Sequence, residues 1–325
     1  MTVLVTGGAG YIGSHLVLAL TDRGERPVVL DNLMAGRREL VSPKALFVEG
    51  DVADTALVRK LVADHGIDAV VHFAGSLLVD ESVSQPLSYY ENNTVKSRTL
   101  IETCVAAKVK HFLFSSTAAV YGAPTAMPID EGTPLAPINP YGRSKLMTEW
   151  VLADVAHAHD LRYVALRYFN VAGADSKGRS GQVRPKATHL INVASEVAAG
   201  KRARLDIYGT DYPTPDGTCI RDYIHVSDLA DVHVVALDHL RGGGTGGVFN
   251  CGYGRGYSVL EVIDTMSREL GRELPTARVG RRAGDPPALV AGVARIRDAM
   301  GWHPRHDDLG LIVRSAMEWE AKLRR

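Results

Sequence analysis

Short, nearly unbroken apolar runs alternate along the first half of the chain with longer stretches whose apolar residues recur at helical spacing. The runs are Val3-Leu4-Val5, Val28-Val29-Leu30, Ala45-Leu46-Phe47-Val48, Ala69-Val70-Val71-His72-Phe73, His111-Phe112-Leu113-Phe114 and Tyr163-Val164-Ala165-Leu166. Continuous apolar runs, as opposed to alternating ones, predict strands covered on both faces, and their alternation with helices predicts a parallel sheet. Past residue 170 the regularity loosens, and 173–184 carries no clear period. Val226, Leu229, Val232, Val235 and Leu237 then predict a helix over 225–241, and six residues at 242–247, five of them glycine, predict a flexible loop. Leu309, Ile312, Val313, Ala316 and Trp319 predict a final amphipathic helix.

The first run leads directly into Gly7, Gly10 and Gly13, and these into a helical stretch with Leu16, Val17 and Leu20. Strand, glycine turn and helix together present backbone N–H groups and a positive helix end to an anion, and glycine lets a pyrophosphate approach closely. The spacing is G-x-x-G-x-x-G, which also occurs in plain packing turns. Asp31, at the end of the second run, resolves the choice: it stands near the offset where a dinucleotide fold places its ribose-binding acid. A carboxylate there favours NAD over NADP, with Arg37 and Arg38 close enough to soften the preference. The fold class is therefore α/β, a Rossmann-type doubly wound parallel sheet with a smaller α/β C-terminal lobe.

In such sheets ligands lie beyond the carboxyl ends of the strands. The residues there are Asp51-Val52, Phe73-Ala74-Gly75, Ser115-Ser116-Thr117 and Tyr168-Phe169-Asn170. Asp51 suits the adenine amino group, Ala74 and Gly75 permit close backbone approach, and Ser115 to Thr117 offer hydroxyls near a reacting sugar or nicotinamide. Asn139-Pro140 opens a helix that carries Tyr141 and Lys145 at i and i+4, hence on one face. A neighbouring ammonium is expected to pull the phenol below its ordinary value near 10, making Tyr141 a base.

Charge and cysteine content narrow the classes further. Lysine plus arginine and aspartate plus glutamate each number 37, so bulk charge points to neither nucleic acid nor a membrane surface. No apolar run approaches the roughly twenty residues of a membrane span. Cys104, Cys219 and Cys251 are scattered, and the chain starts straight into a strand, which together predict a reducing, cytoplasmic setting. His157-x-His159 and His303-x-x-His306 lack a third ligand nearby and are read as surface or packing histidines, with no metal expected.

The combination of Gly7-Gly8-Ala9-Gly10-Tyr11-Ile12-Gly13-Ser14-His15, Asp31-Asn32-Leu33, His72-Phe73-Ala74-Gly75, Tyr141-Gly142-x-Ser144-Lys145, Leu166-Arg167-Tyr168-Phe169-Asn170 and Arg221-Asp222-Tyr223-Ile224-His225-Val226 resembles the UDP-glucose 4-epimerases of the extended short-chain dehydrogenase/reductase superfamily. Asp211 to Thr218, running into Arg221-Asp222-Tyr223, is the part most particular to those epimerases. The resemblance covers nearly the whole chain. It implies an NAD-binding domain of residues 1–170 plus about 221–247 and a UDP-sugar-binding domain of about 171–220 plus 248–325. It implies cofactor contacts from Gly7, Gly10, Tyr11, Ile12, Gly13, Asp31, Asn32, Asp51, Val52, Phe73, Ala74, Gly75, Asn92, Ser115, Tyr141, Lys145 and Tyr168.

For the substrate, UDP-glucose or UDP-galactose, the resemblance implies Thr117, Tyr141, Asn170, His189, Tyr208, Arg221, Arg282, Asp285 and Leu289. Arg221 and Arg282 suit a diphosphate clamp, and Tyr208 offers a face beside uracil. The implied reaction inverts C4 without net redox change: Tyr141 takes the 4-hydroxyl proton, Lys145 holds the nicotinamide ribose, Thr117 hydrogen-bonds at O4, and bound NAD carries the hydride through a 4-keto sugar. A homodimer through helices of the large lobe is implied as well.

Three departures bear on specificity. Ser76-Leu77-Leu78 stands where many of these epimerases carry a lysine, Thr188-His189 replaces an asparagine pair, and Leu289 occupies the position gating a 2-N-acetyl group. A 4-epimerase of a UDP-N-acetylhexosamine, UDP-pentose or UDP-uronate would use the same catalytic residues. A 4,6-dehydratase needs an acid beside the threonine, where this chain has Ala118-Ala119. A non-catalytic NAD-sensing module has no need of Thr117, Tyr141 and Lys145 together.

Overall fold

A computed structural model describes residues 1–183, 188–282 and 285–323. In chain order the first half runs β1 (Thr2–Thr6), α1 (Tyr11–Asp22), β2 (Val28–Asp31), β3 (Leu46–Glu49), α2 (Thr55–His65), β4 (Ile67–His72), α3 (Val79–Ser84), α4 (Pro86–Tyr90), α5 (Lys96–Ala106), β5 (His111–Thr117), α6 (Pro140–Ala158) and β6 (Arg162–Tyr168). The second half runs β7 (Asn170–Ala172), α7 (Leu190–Ala198), β8 (Leu205–Tyr208), β9 (Ile220–Arg221), β10 (Tyr223–His225), α8 (Val226–Arg241), β11 (Gly247–Cys251), β12 (Tyr257–Ser258), α9 (Val259–Leu270), β13 (Thr276–Val279), β14 (Ala288–Leu289), α10 (Ala294–Met300) and α11 (Leu309–Lys322).

Seven parallel strands form the main sheet in the order β11-β6-β5-β4-β1-β2-β3. Alternation along each strand supplies both faces: Val3, Val5, Val29, Val71 and Leu113 join one core with α1 and α8, while Leu4, Leu30, Val70 and Phe112 join a second with α2 and α5. That double burial is why the strands read as unbroken apolar runs.

The six strands and the helices over 225–241 and 309–319 form where periodicity places them. The seventh strand follows the glycine loop: β11 pairs with β6, so the large sheet extends to Cys251, past the boundary read near residue 247. Its apolar content is too short to stand out from the loop before it. Residues 173–183 form neither helix nor strand, and Arg184, which closed the aperiodic stretch, lies outside the described residues. The smaller lobe consists of the β8–β13 pair, the β12–β9–β14 sheet and helices α7, α9 and α11. It joins the large sheet through β7, which starts two residues after β6 and pairs in parallel with β10.

Among the described residues no helix is long and apolar enough to cross a membrane, and no cluster of three His, Cys, Asp or Glu could hold a metal ion. The three cysteines are free and buried.

Candidate active site

The glycine turn closes against the end of β4. Gly7 has φ +71°, and a Cβ there would stand 2.6 Å from the Ala74 nitrogen, while one on Gly13 would stand 2.3 Å from the Gly7 oxygen. Both positions therefore exclude a side chain. Gly10 caps α1 without a side-chain acceptor, leaving the first-turn N–H groups of Tyr11, Ile12 and Gly13 for an outside anion. The Tyr11 phenol takes no part in this cradle, since its hydroxyl donates to the Gly173 carbonyl at 2.6 Å.

Asp31 is buried, and its carboxylate accepts from the N–H groups of Ala9 and Leu33, both at 2.9 Å. It thereby fixes the glycine turn to the end of β2, and each oxygen keeps a lone pair for a ribose hydroxyl. Asn32 reaches Asp51 at 3.5 Å, and the Lys96 ammonium donates to Asp51 at 2.6 Å. Burial pushes the Asp51 carboxyl up, but the hydrogen bonds from Lys96 and the Ala53 N–H outweigh it and hold the group below the ordinary range. Val52 packs into the core above α2, and the Phe73 ring lies 4.8 Å from that of His233.

Between α4 and α5 the chain makes a π-helical turn, Glu91–Val95, which turns two consecutive asparagines toward the strand ends. Asn92 donates to the Ser76 hydroxyl at 3.0 Å. Asn93 accepts from the Ser76 N–H at 2.7 Å and donates to the Ser76 carbonyl and the Ser144 hydroxyl. Sequence reading passed over Asn93 and Lys96; the doubled asparagine was the available signal for the first.

Asn139 caps α6, accepting from the Gly142 N–H at 2.8 Å, and the helix carries Tyr141 and Lys145 to the end of β5. Lys145 is buried, with its ammonium on the Ser115 carbonyl at 2.8 Å and 4.9 Å from the Phe114 ring centre. Burial lowers it to about 8, opposed by Glu149. The Tyr141 phenol differs from expectation: burial raises it above 10.0, and the opposing influence is a hydrogen bond with Thr117, not the lysine. The Lys145 ammonium donates instead to the Ser115 carbonyl. The Ser115 hydroxyl is likewise committed, to Tyr168, and that of Ser116 to Glu149. Thr117, the third strand-end hydroxyl, is the one that meets Tyr141.

On the other side of β6, Asn170 lines a cleft with Gln182, His189, Tyr223 and Trp319. Its N–H donates to the Asp222 carbonyl at 3.0 Å, and the Asp222 N–H donates to the Leu289 carbonyl at 3.1 Å. Leu289 pairs with Arg221 across β14 and β9. Arg221 stands 3.6 Å from Asp285. The Arg282 guanidinium lies 4.3 Å from the Tyr208 ring centre, so the face expected beside uracil is covered by the arginine expected on phosphate. Asp222, absent from the sequence-based site, is fully buried and accepts from the N–H groups of Tyr253, Gly254 and Ala291.

Comparison with known proteins identifies the family. Residues 3–252 match the model of the NAD dependent epimerase/dehydratase family. A UDP-glucose 4-epimerase of Azospirillum brasilense is 59% identical over 99% of this chain and 92% of its own length. The crystal structure of UDP-glucose 4-epimerase from Brucella ovis in complex with NAD superposes with TM-score 0.96 at 47% identity, covering 98% of each chain. That from Bifidobacterium longum in complex with NAD+ and UDP gives 0.92 at 38% identity, covering 99% of this chain and 98% of its own. The chain thus belongs to the NAD dependent epimerase/dehydratase family.

Proposed function

We infer that the chain interconverts UDP-glucose and UDP-galactose by redox-neutral inversion at C4. The observation that carries this reading is the meeting of Tyr141, Thr117 and Lys145 at the end of β5, in a dinucleotide fold whose relatives of near-identical length are UDP-glucose 4-epimerases. The side-chain-free turn at Gly7 and Gly13, the uncapped start of α1 and the Asp31 carboxylate fit the pyrophosphate and ribose of NAD. When bound, NAD would supply a reversible hydride acceptor for C4.

Tyr141 accepts the proton of the 4-hydroxyl and later returns it, and Thr117 holds O4 and passes the proton along. Lys145 binds the nicotinamide ribose, and its charge favours the phenolate once Tyr141 ionises. Arg221 and Arg282 grip the diphosphate, Arg282 leaving the Tyr208 ring so that Tyr208 and Asp285 take the uridine end, and Asn170 and His189 face the phosphates and sugar across the cleft. Anchoring at UDP leaves the keto sugar free to turn and present its other face. The small lobe, about 171–220 and from 252 on, carries most of these contacts. An acid for dehydration is absent next to Thr117, where Ala118 and Ala119 stand.

We further propose a homodimer through α3, α4 and α6, where Val79, Val83, Leu87, Met147 and Trp150 are exposed. A cytoplasmic setting suits three free cysteines. The test is incubation of the purified protein with UDP-galactose, without added NAD, and measurement of UDP-glucose. The expected result is conversion by the wild type, and a loss of at least ~1,000-fold in Tyr141→Phe with UDP binding kept. Unchanged turnover in that variant would remove Tyr141 from the mechanism.

A further inference from the structure

We propose that Glu149 is a positioning residue for the epimerisation, holding the Lys145 ammonium charged and the strand end Ser115-Ser116-Thr117 in register with Tyr141. The inference rests on the role proposed above for Tyr141 and Lys145. Tyr141, Lys145 and Glu149 follow one another at four-residue steps on α6 and so share one face. Glu149 is buried, and its carboxylate accepts from Arg167 Nε at 3.0 Å and Nη2 at 2.6 Å and from the Ser116 hydroxyl. Arg167 also donates to the Tyr121 hydroxyl at 2.9 Å, which donates to Asn250 at 2.7 Å. Ser116 is the middle of three consecutive residues: the carbonyl of Ser115 before it holds Lys145, and the side chain of Thr117 after it meets Tyr141. One carboxylate therefore ties the helix bearing both catalytic groups to the strand segment that receives them.

Electrostatics point the same way. Of the titratable groups around Lys145, Glu149 on α6 favours its charge and His72 on β4 feels it, while β5 contributes the Ser115 carbonyl and the Phe114 ring; Arg167 on β6 pairs with Glu149, and Tyr168 on β6 acts on Tyr141 and Ser115. His72 is neutral, since burial and the lysine lower it to about 3. Glu149 is the acid of this set, and it opposes the burial that draws Lys145 down to about 8. A buried ion pair adds little stability compared with apolar residues of similar volume, so packing by itself gives weak reason for one here.

The experiment is the pH dependence of turnover in the holoenzyme for wild type, Glu149→Gln, Glu149→Asp and the double variant Glu149→Met/Arg167→Met, together with NMR titration of isotope-labelled lysine, Lys145 being assigned from Lys145→Arg. Expected is an alkaline limb, and a Lys145 titration, lower by about one pH unit or more in Glu149→Gln; the double variant, which loses the Arg167 charge as well, keeps its limb closer to wild type but turns over at least ~10-fold more slowly. Glu149→Asp, which keeps the charge, stays near the wild-type limb. The double variant removes the pair without leaving a charge buried, so it tests the register of the strand end if Glu149→Gln fails to fold. A folded Glu149→Gln whose limb and lysine titration coincide with wild type, or a folded double variant with wild-type turnover, overturns the proposal. Turnover surviving in Tyr141→Phe would instead overturn the underlying assignment, so the two failures are told apart.

Discussion

Acidification from about pH 7 to about pH 5 tests the buried histidines. His15, His72, His225 and His233 are buried, and burial lowers them to about 4, 3, 3 and 4 from 6.5. The surroundings show why they resist a proton. His15 and His233 each place Nδ1 on a helical carbonyl, and Nε2 of both has no hydrogen-bond partner among the described residues. His225 Nδ1 accepts from the Ser227 N–H at the start of α8. His72 lies between the Thr6 and Ser97 hydroxyls at 2.7 and 2.8 Å. Unfolded histidines protonate near 6.5 while the folded ones remain neutral, so the unfolded state binds more protons below that value. Stability is therefore full above about pH 6.5 and falls as pH drops towards the folded values. At about pH 5 each histidine has removed about 2 kcal/mol, or about 8 kcal/mol for the four. Asp222 and His306 oppose them: burial raises Asp222 to about 6, so the folded state gains a proton first and recovers about 1 kcal/mol at about pH 5, and the hydrogen bond with Asp228 holds His306 above its ordinary value. The net loss of about 7 kcal/mol is comparable to the whole stability of a typical domain, about 5–15 kcal/mol. Urea unfolding at several pH values, at fixed NAD, measures the slope. About three protons, or about 4 kcal/mol per pH unit between about pH 6 and 5, is expected. A slope below one proton, about 1.4 kcal/mol per unit, refutes the reasoning.

Two further outcomes are expected. Gly7→Ala places a methyl group 2.6 Å from the Ala74 nitrogen at φ +71°, so the variant should lose retained NAD and several degrees of Tm; Gly66→Ala, at φ +59° with open space around it, should lose about 1 kcal/mol and keep its NAD, measured by absorbance and thermal melting. Trp150→Asp puts a charge on the exposed apolar face of α6 and should lower the mass seen by light scattering from dimer to monomer; an unchanged mass would place the contact elsewhere or abolish it.

Much of the fold and part of the candidate site were legible because their signals are local. Strand burial writes itself as unbroken apolar runs, a helix face as four-residue spacing, and an anion-binding turn as glycines between strand and helix, so β1, Gly7, Asp31, Tyr141 and Lys145 could all be read from short windows. Tertiary structure decided whatever depends on contacts between distant segments. Lys96 meets Asp51 across 45 residues, and Arg167 meets Glu149 only because β6 and α6 pack together. The same packing corrected the chemistry of Tyr141: spacing predicted a phenol lowered by Lys145, but burial raises it, and the ammonium turns to the Ser115 carbonyl. Tyr208 and Arg282, far apart in sequence, stack on each other. Sequence thus determined which groups the chain carries and which local elements bear them. Their partners and protonation were set by the strand order β11-β6-β5-β4-β1-β2-β3, because desolvation and pairing depend on neighbours that only the assembled sheet brings together.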